Sequence, residues 1–427
     1  MAEIRPFRGL RYTARYAPDP SRVICPPYDV ISSKAQKALM ERSPYNVIRL
    51  EYGEKRLADT STDNRYTRAF DLLWEWLTKG VLARDAEPAF YLHHQTFTFG
   101  GKRYTRRVLM AAVELSRDVI RAHEGTLEAP RTDRLDLLRA TKTNISPIFC
   151  LYQDPAGKAR EVFSQAEQSH PILEAELEGE EHQIWTITDP GLQKELQELF
   201  SPLPLYIADG HHRFSSALAY KEEVDKAEAA IYRPGAPGDE HNFVLMGLVE
   251  FHDPGLLILP VHRVVAGLGP KAPACLVAVA ELFQVQPFPS PVALLEAMTR
   301  EEYGLGLYCA DGFFLLTPLQ RLPYEKLLKL LHREVLESFL KAEKVAYTHS
   351  AEEAVERVKK GEYKIAFLMN PLKVEAIQAV ADAGETLPGK STYFYPKLPT
   401  GLVLRALFEP PMTWEEYNKI IEQEPES

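Results

Sequence analysis

The sequence lacks any apolar run near the roughly 20 residues that a helix needs to cross a bilayer. Its longest apolar stretches, Phe243 to Val249 and Leu256 to Val261, stop far short. Basic charge is also scarce. Lys and Arg number 50 against 60 Asp and Glu, for a net charge of −10 and a pI near 5.7. A chain with that balance repels nucleic-acid phosphates unless it segregates a basic patch. The densest basic stretch, Gly101 to Arg107, reads instead as a hairpin running into a strand, so no nucleic-acid partner is expected. Cysteine is sparse: the four residues, Cys25, Cys150, Cys275 and Cys309, form no CxxC pair, which argues against a zinc ribbon or a redox dithiol. Met1 to Pro6 has no apolar stretch of the signal-peptide kind. The expectation is a soluble, cytoplasmic protein with no membrane partner. Repeats and low-complexity tracts are missing too.

What remains is ordinary globular composition, 45% hydrophobic and 26% charged over 427 residues, enough for two or three domains. The 32 prolines imply many rigid loops. The pattern of segments is mixed α/β (α+β), with mixed sheets and helices. Arg22 to Ile31 reads as a short strand stopping at Pro26-Pro27, with Ser32 or Ser33 capping the next helix. Asn46 to Glu51 alternates like a half-buried strand. Residues 63–83 carry a helical apolar face. Phe90 to Phe99 and Arg103 to Glu114 flank Gly100-Gly101, a strong hairpin signal. A helix from Asp133 to Ala140 leads to a strand at 146–152. Leu203 to Ala208 is a strand that runs straight into Asp209-Gly210-His211-His212-Arg213 and a helix. Phe243 to Glu250 and Leu256 to Val265 are strands around an Asp253-Pro254-Gly255 turn, the second ending in His262-Arg263. The Gly- and Pro-containing stretch 266–274 marks a boundary, giving domains 1–265 and 266–427. Helices are expected near 292–302, 323–342 and 372–383, a hairpin at Asp311-Gly312 and a strand at 364–370.

Five constellations could carry chemistry. A strand ending in Asp209-Gly210 and opening a helix aims several unpaired backbone N–H groups at one point, where an anion can settle. His211, His212 and Arg213 add donors, and Arg grips phosphate with two nitrogens. The plainer reading is an N-capping Asp, a turn Gly and solvated polar residues. Adjacent His-His-Arg after Asp-Gly favours function, and the pair of histidines alone makes a poor metal site. The Pro26-Pro27 turn presents Tyr28 and Asp29, and Asp29 there suits a general base or a magnesium ligand, and equally a capping turn. His123-Glu124-Gly125-Thr126 with Asp133 and Arg134 suits proton transfer or substrate binding, or a loop feeding a helix. Gly384 and Gly389-Lys390-Ser391 match the bare GxxxxGK[ST] spacing. A P-loop follows a strand and opens a helix, whereas here the preceding stretch reads as helix and the following one as strand. Lys390 and Lys397 remain as point charges for phosphate. His262-Arg263 reads as a solvated strand end or a binding pair.

On these residues the chain resembles the bacterial and archaeal family called domain of unknown function 1015. The matching stretches are Cys25 to Ile31, Asn46 to Arg49, His123-Glu124, Asn144 to Phe149, Asp209 to Arg213, Asp253 to Gly255, Pro260 to Arg263 and Lys390 to Lys397. They span nearly the whole chain. Leu387-Pro388-Gly389 departs slightly from the family pattern. The five-residue turn also looks like the phosphate-binding turn of the ParB-like and sulfiredoxin-like nucleotide-binding fold, which a free-serine kinase shares. That resemblance implies a ParB-like nucleotide-binding core plus a C-terminal α/β region contributing to the site. It implies an ATP- or ADP-dependent kinase for a small hydroxylated metabolite, with serine as the specific candidate. Asp209, Gly210, His211, His212 and Arg213 would cradle the phosphates, helped by Lys390 and Ser391, with Asp209 on Mg2+. Asp29 would accept the hydroxyl proton, with His212 and Arg213 as further catalytic residues. Tyr28, Arg49, His123, Glu124 and Arg263 would bind substrate. His stands where sulfiredoxin has its catalytic cysteine, which argues against sulfinic-acid reduction. The rivals are a ParB-like nucleotide-binding switch without catalysis and a nucleotide-dependent hydrolase. A homodimer stays open.

Overall fold

The computed structural model describes residues 2–126, 128–230, 239–267, 275–301 and 304–411. The fold is mixed α/β and forms two compact units. The first takes Met1–Arg121, Thr126–Leu256 and Pro396–Ser427, the second Ala122–Gly125 and Leu257–Tyr395. The chain thus divides at Leu256/Leu257 and returns to the first unit at Pro396, where the sequence suggested a single division at 265/266.

A nine-stranded mixed sheet organises the first unit. Its order is Ile120–Arg121, Leu205–Asp209, Ile148–Tyr152, Phe243–Glu250, Lys102–Glu114, Phe90–Phe99, Glu180–Ile187 and Leu173–Leu177, with Ile4–Arg5 also on Lys102–Glu114. Two pairings are parallel, Leu205–Asp209 with Ile120–Arg121 and Phe243–Glu250 with Ile148–Tyr152. The expected hairpin is present. Gly100 and Gly101 hold φ of 57° and 76°, the positive values that a tight two-residue turn requires. Every residue of Ile148–Tyr152 is buried, as is Phe243 to Val249. Both are interior strands covered on two faces, which is why they read as continuous apolar runs. The helix Arg65–Thr78 starts at Asn64, whose side chain accepts from the Tyr66 and Thr67 N–H groups, and it buries Ala69, Leu73, Trp76 and Leu77. Helices Glu128–Thr141 and His211–Ala230 pack on each other.

Several segments differ from expectation. Arg22 to Ile31 is not a strand but two 3-10 turns, Pro20–Arg22 and Tyr28–Val30, with a single bridge from Cys25 to Thr400. Ser32 does cap the following helix, Ser33–Arg42. Asn46 to Glu51 is a helical turn, Ile48–Glu51, because the Asn46 side chain accepts from the Ile48 N–H at 3.0 Å and donates to the Arg22 and Ile24 carbonyls. Side-chain bonds of this kind outcompete strand pairing. Asp133 lies inside the helix Glu128–Thr141, not at its start.

The second unit is built on a six-stranded antiparallel sheet. Its order is Phe283–Phe288, Gly312–Pro318, Leu305–Cys309, Ile365–Leu368, His262–Ala266 and Lys344–Thr348. Helices Pro291–Arg300 and Ala351–Lys359 bury Leu294, Met298, Ala354 and Val355 with Val264 and Ala366. The continuous strand expected over Leu256 to Val265 is broken into Leu257–Leu259 and His262–Ala266. Pro260, which has no N–H to donate, stands at the break. His262 and Arg263 therefore open a strand rather than end one. Tyr324–Leu330 is an α-helix that continues as a wider π-type helix, Leu331–Phe339. Most of the expected boundary stretch lies outside the described residues.

Candidate functional site

The strand Leu205–Asp209 delivers Asp209 to the start of the helix His211–Ala230. Gly210 makes the turn at φ +97°, and a Cβ there would lie 3.0 Å from Arg213 Nε. Glycine is thus needed twice, for the left-handed backbone and for room. The space it leaves lets Arg213 fold back over the turn. Arg213 Nη2 donates to Asp209 Oδ2 at 2.7 Å, and Lys397 Nζ pairs with Asp209 Oδ1. Arg213 Nη1 donates to the Pro147 carbonyl, while its buried Nε has no partner among the described residues. Burial alone would push the Asp209 carboxyl up. The charges of Lys397 and Arg213 outweigh it and hold the carboxyl well below its ordinary range. Asp209 thus stays ionised and pins two cations beside the helix N-terminus.

Lys397 is held by the backbone around it. Arg106, fully buried, donates from Nη2 to the Pro396 carbonyl at 2.6 Å, and Gln95 Nε2 donates to the Lys397 carbonyl at 2.9 Å. The Asp253-Pro254-Gly255 turn leans on the same arginine. A Cβ on Gly255 would come within 2.6 Å of the Arg106 backbone nitrogen, so this glycine permits a close approach.

A second polar chain runs from the turn. Arg134, 5% exposed, donates from Nη1 to Glu51 Oε1 at 3.1 Å, and Ser146 Oγ donates to the same oxygen at 3.0 Å. Arg134 Nη2 donates to Asp133 Oδ2 at 2.6 Å. Its guanidinium lies 4.0 Å over the Tyr28 ring. Burial lifts the Tyr28 phenol to about 12, against the opposing charges of Arg134 and Arg213, while Asp29 and Glu51 add to the rise. Tyr28, Arg134, Arg213, Asp29 and Glu51 therefore share one electrostatic neighbourhood. A cavity of about 50 Å³ opens among Glu51, Arg134, Ser146, Arg213 and Ser216. Asp29 itself is exposed, and its carboxylate makes no hydrogen bond or ion pair among the described residues.

The structure thus gathers Tyr28, Asp29, Asp209, Gly210 and Arg213 in the first unit. His211, buried, and His212, half-buried, occupy the first turn of the helix, and the charge of His211 adds to the depression of Asp209. Arg49 is turned elsewhere, donating from Nη2 to the Met40 carbonyl at 2.6 Å. Glu51, Ser146, Gln95 and Arg106 were not singled out from sequence, and neither was the pairing of Lys397 with Asp209.

The remaining expected residues lie in the second unit. His123 Nε2 is 3.1 Å from Thr392 Oγ1. Glu124 Oε1 accepts from the Ser391 N–H at 3.1 Å, the Thr392 N–H at 3.3 Å and the Thr392 hydroxyl at 3.2 Å. Ser391 Oγ donates to the Pro388 carbonyl at 2.5 Å. Lys390 is exposed at φ +59°. The Gly389–Thr392 loop follows the helix Val374–Asp382 and enters the strand Tyr393–Tyr395, so it lacks the strand-before, helix-after frame of a P-loop. The anion it cradles is the protein's own Glu124. Arg263 is buried in the same unit.

This geometry discriminates between possible ligands. Cations already engage both Asp209 oxygens, and among the described residues no three acidic, histidine or cysteine side chains cluster as metal ligands. A magnesium ion bound by Asp209 does not fit. A phosphate is chemically compatible: Arg213 and Lys397 supply two positive charges against the one of Asp209, beside a helix N-terminus.

Comparison with known proteins gives a family and distant structural likenesses. The chain belongs to the family described as protein of unknown function (DUF1015), whose model matches residues 4–364. No curated protein matches it. It is similar to a solved mutant of free serine kinase in complex with AMP, at 14% identity and a TM-score of 0.38, covering 69% of this chain and 92% of that one. It is similar to a conserved hypothetical protein from Pyrococcus furiosus, at 15% identity and 0.38, covering 70% and 97%. It is also similar to SbnI with a C-terminal truncation from Staphylococcus aureus, at 14% and 0.35, covering 73% and 94%.

Proposed function

We propose that this chain transfers a phosphoryl group from ATP or ADP to the hydroxyl of a small metabolite, with free serine as the first substrate to test. The observation that carries the reading is the Asp209 turn. An ionised carboxylate fixes Arg213 and Lys397 beside a helix N-terminus. Phosphoryl transfer asks a protein mainly for positioning and for charge to meet the developing negative oxygens. The nucleotide phosphates would sit on the N–H groups of residues 211–213, against Arg213 and Lys397. His212 stands in the first helical turn, where it can donate to the same phosphates.

Asp29 fits the general base. It is exposed, it is unpaired among the described residues, and its charge is felt by the same Tyr28 phenol that feels Arg134 and Arg213. The substrate oxygen would attack the terminal phosphorus, the bond to the bridging oxygen would break, and the hydroxyl proton would pass to Asp29. The nucleotide leaves as ADP or AMP. Magnesium would enter with the nucleotide.

The test is transfer itself. The purified chain is mixed with magnesium and ATP or ADP plus hydroxylated metabolites, serine included, and products are followed by phosphorus NMR. The expected result is a new phosphomonoester that disappears in Asp29→Asn and Arg213→Ala. Nucleotide binding without any product would make the chain a nucleotide-binding switch instead, and release of inorganic phosphate alone would make it a hydrolase.

A further inference from the structure

A cavity of about 360 Å³ in the first unit is lined by four arginines, Arg5, Arg8, Arg84 and Arg405. It shares no lining residue with the cavity beside Arg213. The backbone gathers the four through Leu10. The strand Leu10–Tyr12 pairs Leu10 with Arg84, the last residue of the strand Leu82–Arg84. Leu10 also bridges Leu404, which sets Arg405 beside it. Arg8 Nε donates to the carbonyl of Asp85, the residue after Arg84, at 2.9 Å. Phe243 takes the other two cations. The Arg5 guanidinium lies 4.0 Å over its ring, and Arg405 Nη1 donates to its carbonyl at 2.9 Å. Four like charges around one cavity repel one another unless anions meet them.

The anions present meet them only in part. Arg84 reaches Glu409 through Nη1, and that glutamate side chain is 81% exposed. Arg84 Nε is buried without a partner among the described residues, and its Nη2 donates no hydrogen bond there. Arg405, 2% exposed, pairs through Nη2 with the exposed Glu240, while its buried Nε has no partner among the described residues. Burial lowers the Arg405 guanidinium to about 10, although the charge of Glu240 opposes the shift. Arg5 pairs with Glu3 and Asp239, both exposed. Arg8 has no acidic partner among the described residues, and its two terminal nitrogens make no hydrogen bond there. Exposed ion pairs hold weakly and yield to a better anion.

The open donors select the ligand. Two planar forks, Nε with Nη2 on Arg84 and Nη1 with Nη2 on Arg8, line one cavity with Arg405 Nε. A carboxylate has two oxygens in one plane and is met by a single fork. A phosphate monoester has three free oxygens and about two negative charges at neutral pH, which suits two forks and a further donor. The cavity also has an apolar wall. Phe7 and Phe243, both buried, line it, and its volume falls within the range of small-molecule sites.

We propose that this cavity binds the phosphate monoester of a small organic molecule. The phosphate seats on the forks of Arg8 and Arg84 with Arg405 Nε as a further donor, and Glu409 swings out into solvent. The organic part lies along Phe7 and Phe243. The site stands whether or not the chain transfers phosphoryl groups.

Isothermal titration of the full chain without nucleotide tests it, with phenyl phosphate, inorganic phosphate and benzoate as separate probes. Phenyl phosphate should bind saturably. Inorganic phosphate lacks the organic part and benzoate the third oxygen, so each should bind about tenfold more weakly or less. Arg8→Gln and Arg84→Gln should each weaken phenyl phosphate binding about tenfold or more, with ADP affinity unchanged. Arg8→Lys keeps the charge but not the fork and should recover only part of the loss. Lys397→Met, at the Asp209 turn, should leave phenyl phosphate binding intact. If Arg84→Gln does not fold, Arg8→Gln and Arg8→Lys decide. The proposal is overturned if phenyl phosphate does not bind, if inorganic phosphate or benzoate binds as tightly, if binding survives the glutamine substitutions, or if Lys397→Met abolishes it. Absence of phosphoryl transfer would sink the kinase reading and leave these titrations standing.

Discussion

Two loops of this chain offer the same chemistry on paper and opposite chemistry in the fold. Asp209 to Arg213 and Gly389 to Thr392 each join glycine to basic and polar residues. In the first, a buried carboxylate gathers two cations, Arg213 and Lys397, beside a helix start. In the second, the backbone N–H groups that could hold a phosphate already hold Glu124. A glycine-rich basic motif cannot take an outside anion on backbone N–H groups that already hold an internal carboxylate.

Breaking the first loop should have the largest effect. Arg213→Ala leaves Asp209 buried with one cation fewer, so it should cost about 3 kcal/mol in denaturant unfolding. It should also lower turnover by about 10²- to 10³-fold. Asp29→Asn should lower turnover by about 10²-fold or more. Because Asp29 is exposed, its unfolding free energy should move by less than about 0.5 kcal/mol, and calorimetric ADP affinity should stay as it was.

Acid should act on the same turn. The unfolded Asp209 carboxyl titrates near about 3.9, and in the fold it titrates lower. The folded state binds fewer protons between the two values, so the stabilisation is full above the unfolded value and drains away as pH falls through the folded one. Acid unfolding followed by circular dichroism should show this component in wild type and lack it in Asp209→Asn. The second loop sharpens the contrast. Glu124→Gln should cost about 1–3 kcal/mol with ADP affinity unmoved. Lys390→Ala, at an exposed position, should change neither stability beyond about 0.5 kcal/mol nor nucleotide affinity. A large loss of ADP binding in Lys390→Ala would reverse the assignment of the two loops.

The parts legible in sequence were those whose causes are local. Gly100-Gly101 announced its hairpin, Ser32 its helix, and Leu205 to Arg213 its strand-turn-helix, since turn and capping chemistry need only neighbours. The network behind the turn was not legible. Lys397 reaches Asp209 across 188 residues of sequence, and Arg134 reaches Glu51 across 83. No local pattern marks such pairs. Asn46 to Glu51 misled for a related reason: its alternation is real, but side-chain bonds from Asn46 to the Arg22 and Ile24 carbonyls hold it as a helical turn.

The most direct test of the central claim is a crystal structure of the chain with ADP. The terminal phosphate should lie on the backbone N–H groups of residues 211–213, within hydrogen-bond distance of Arg213 and Lys397. Phosphates seated instead on Lys390 and Ser391, with Glu124 displaced, would contradict it.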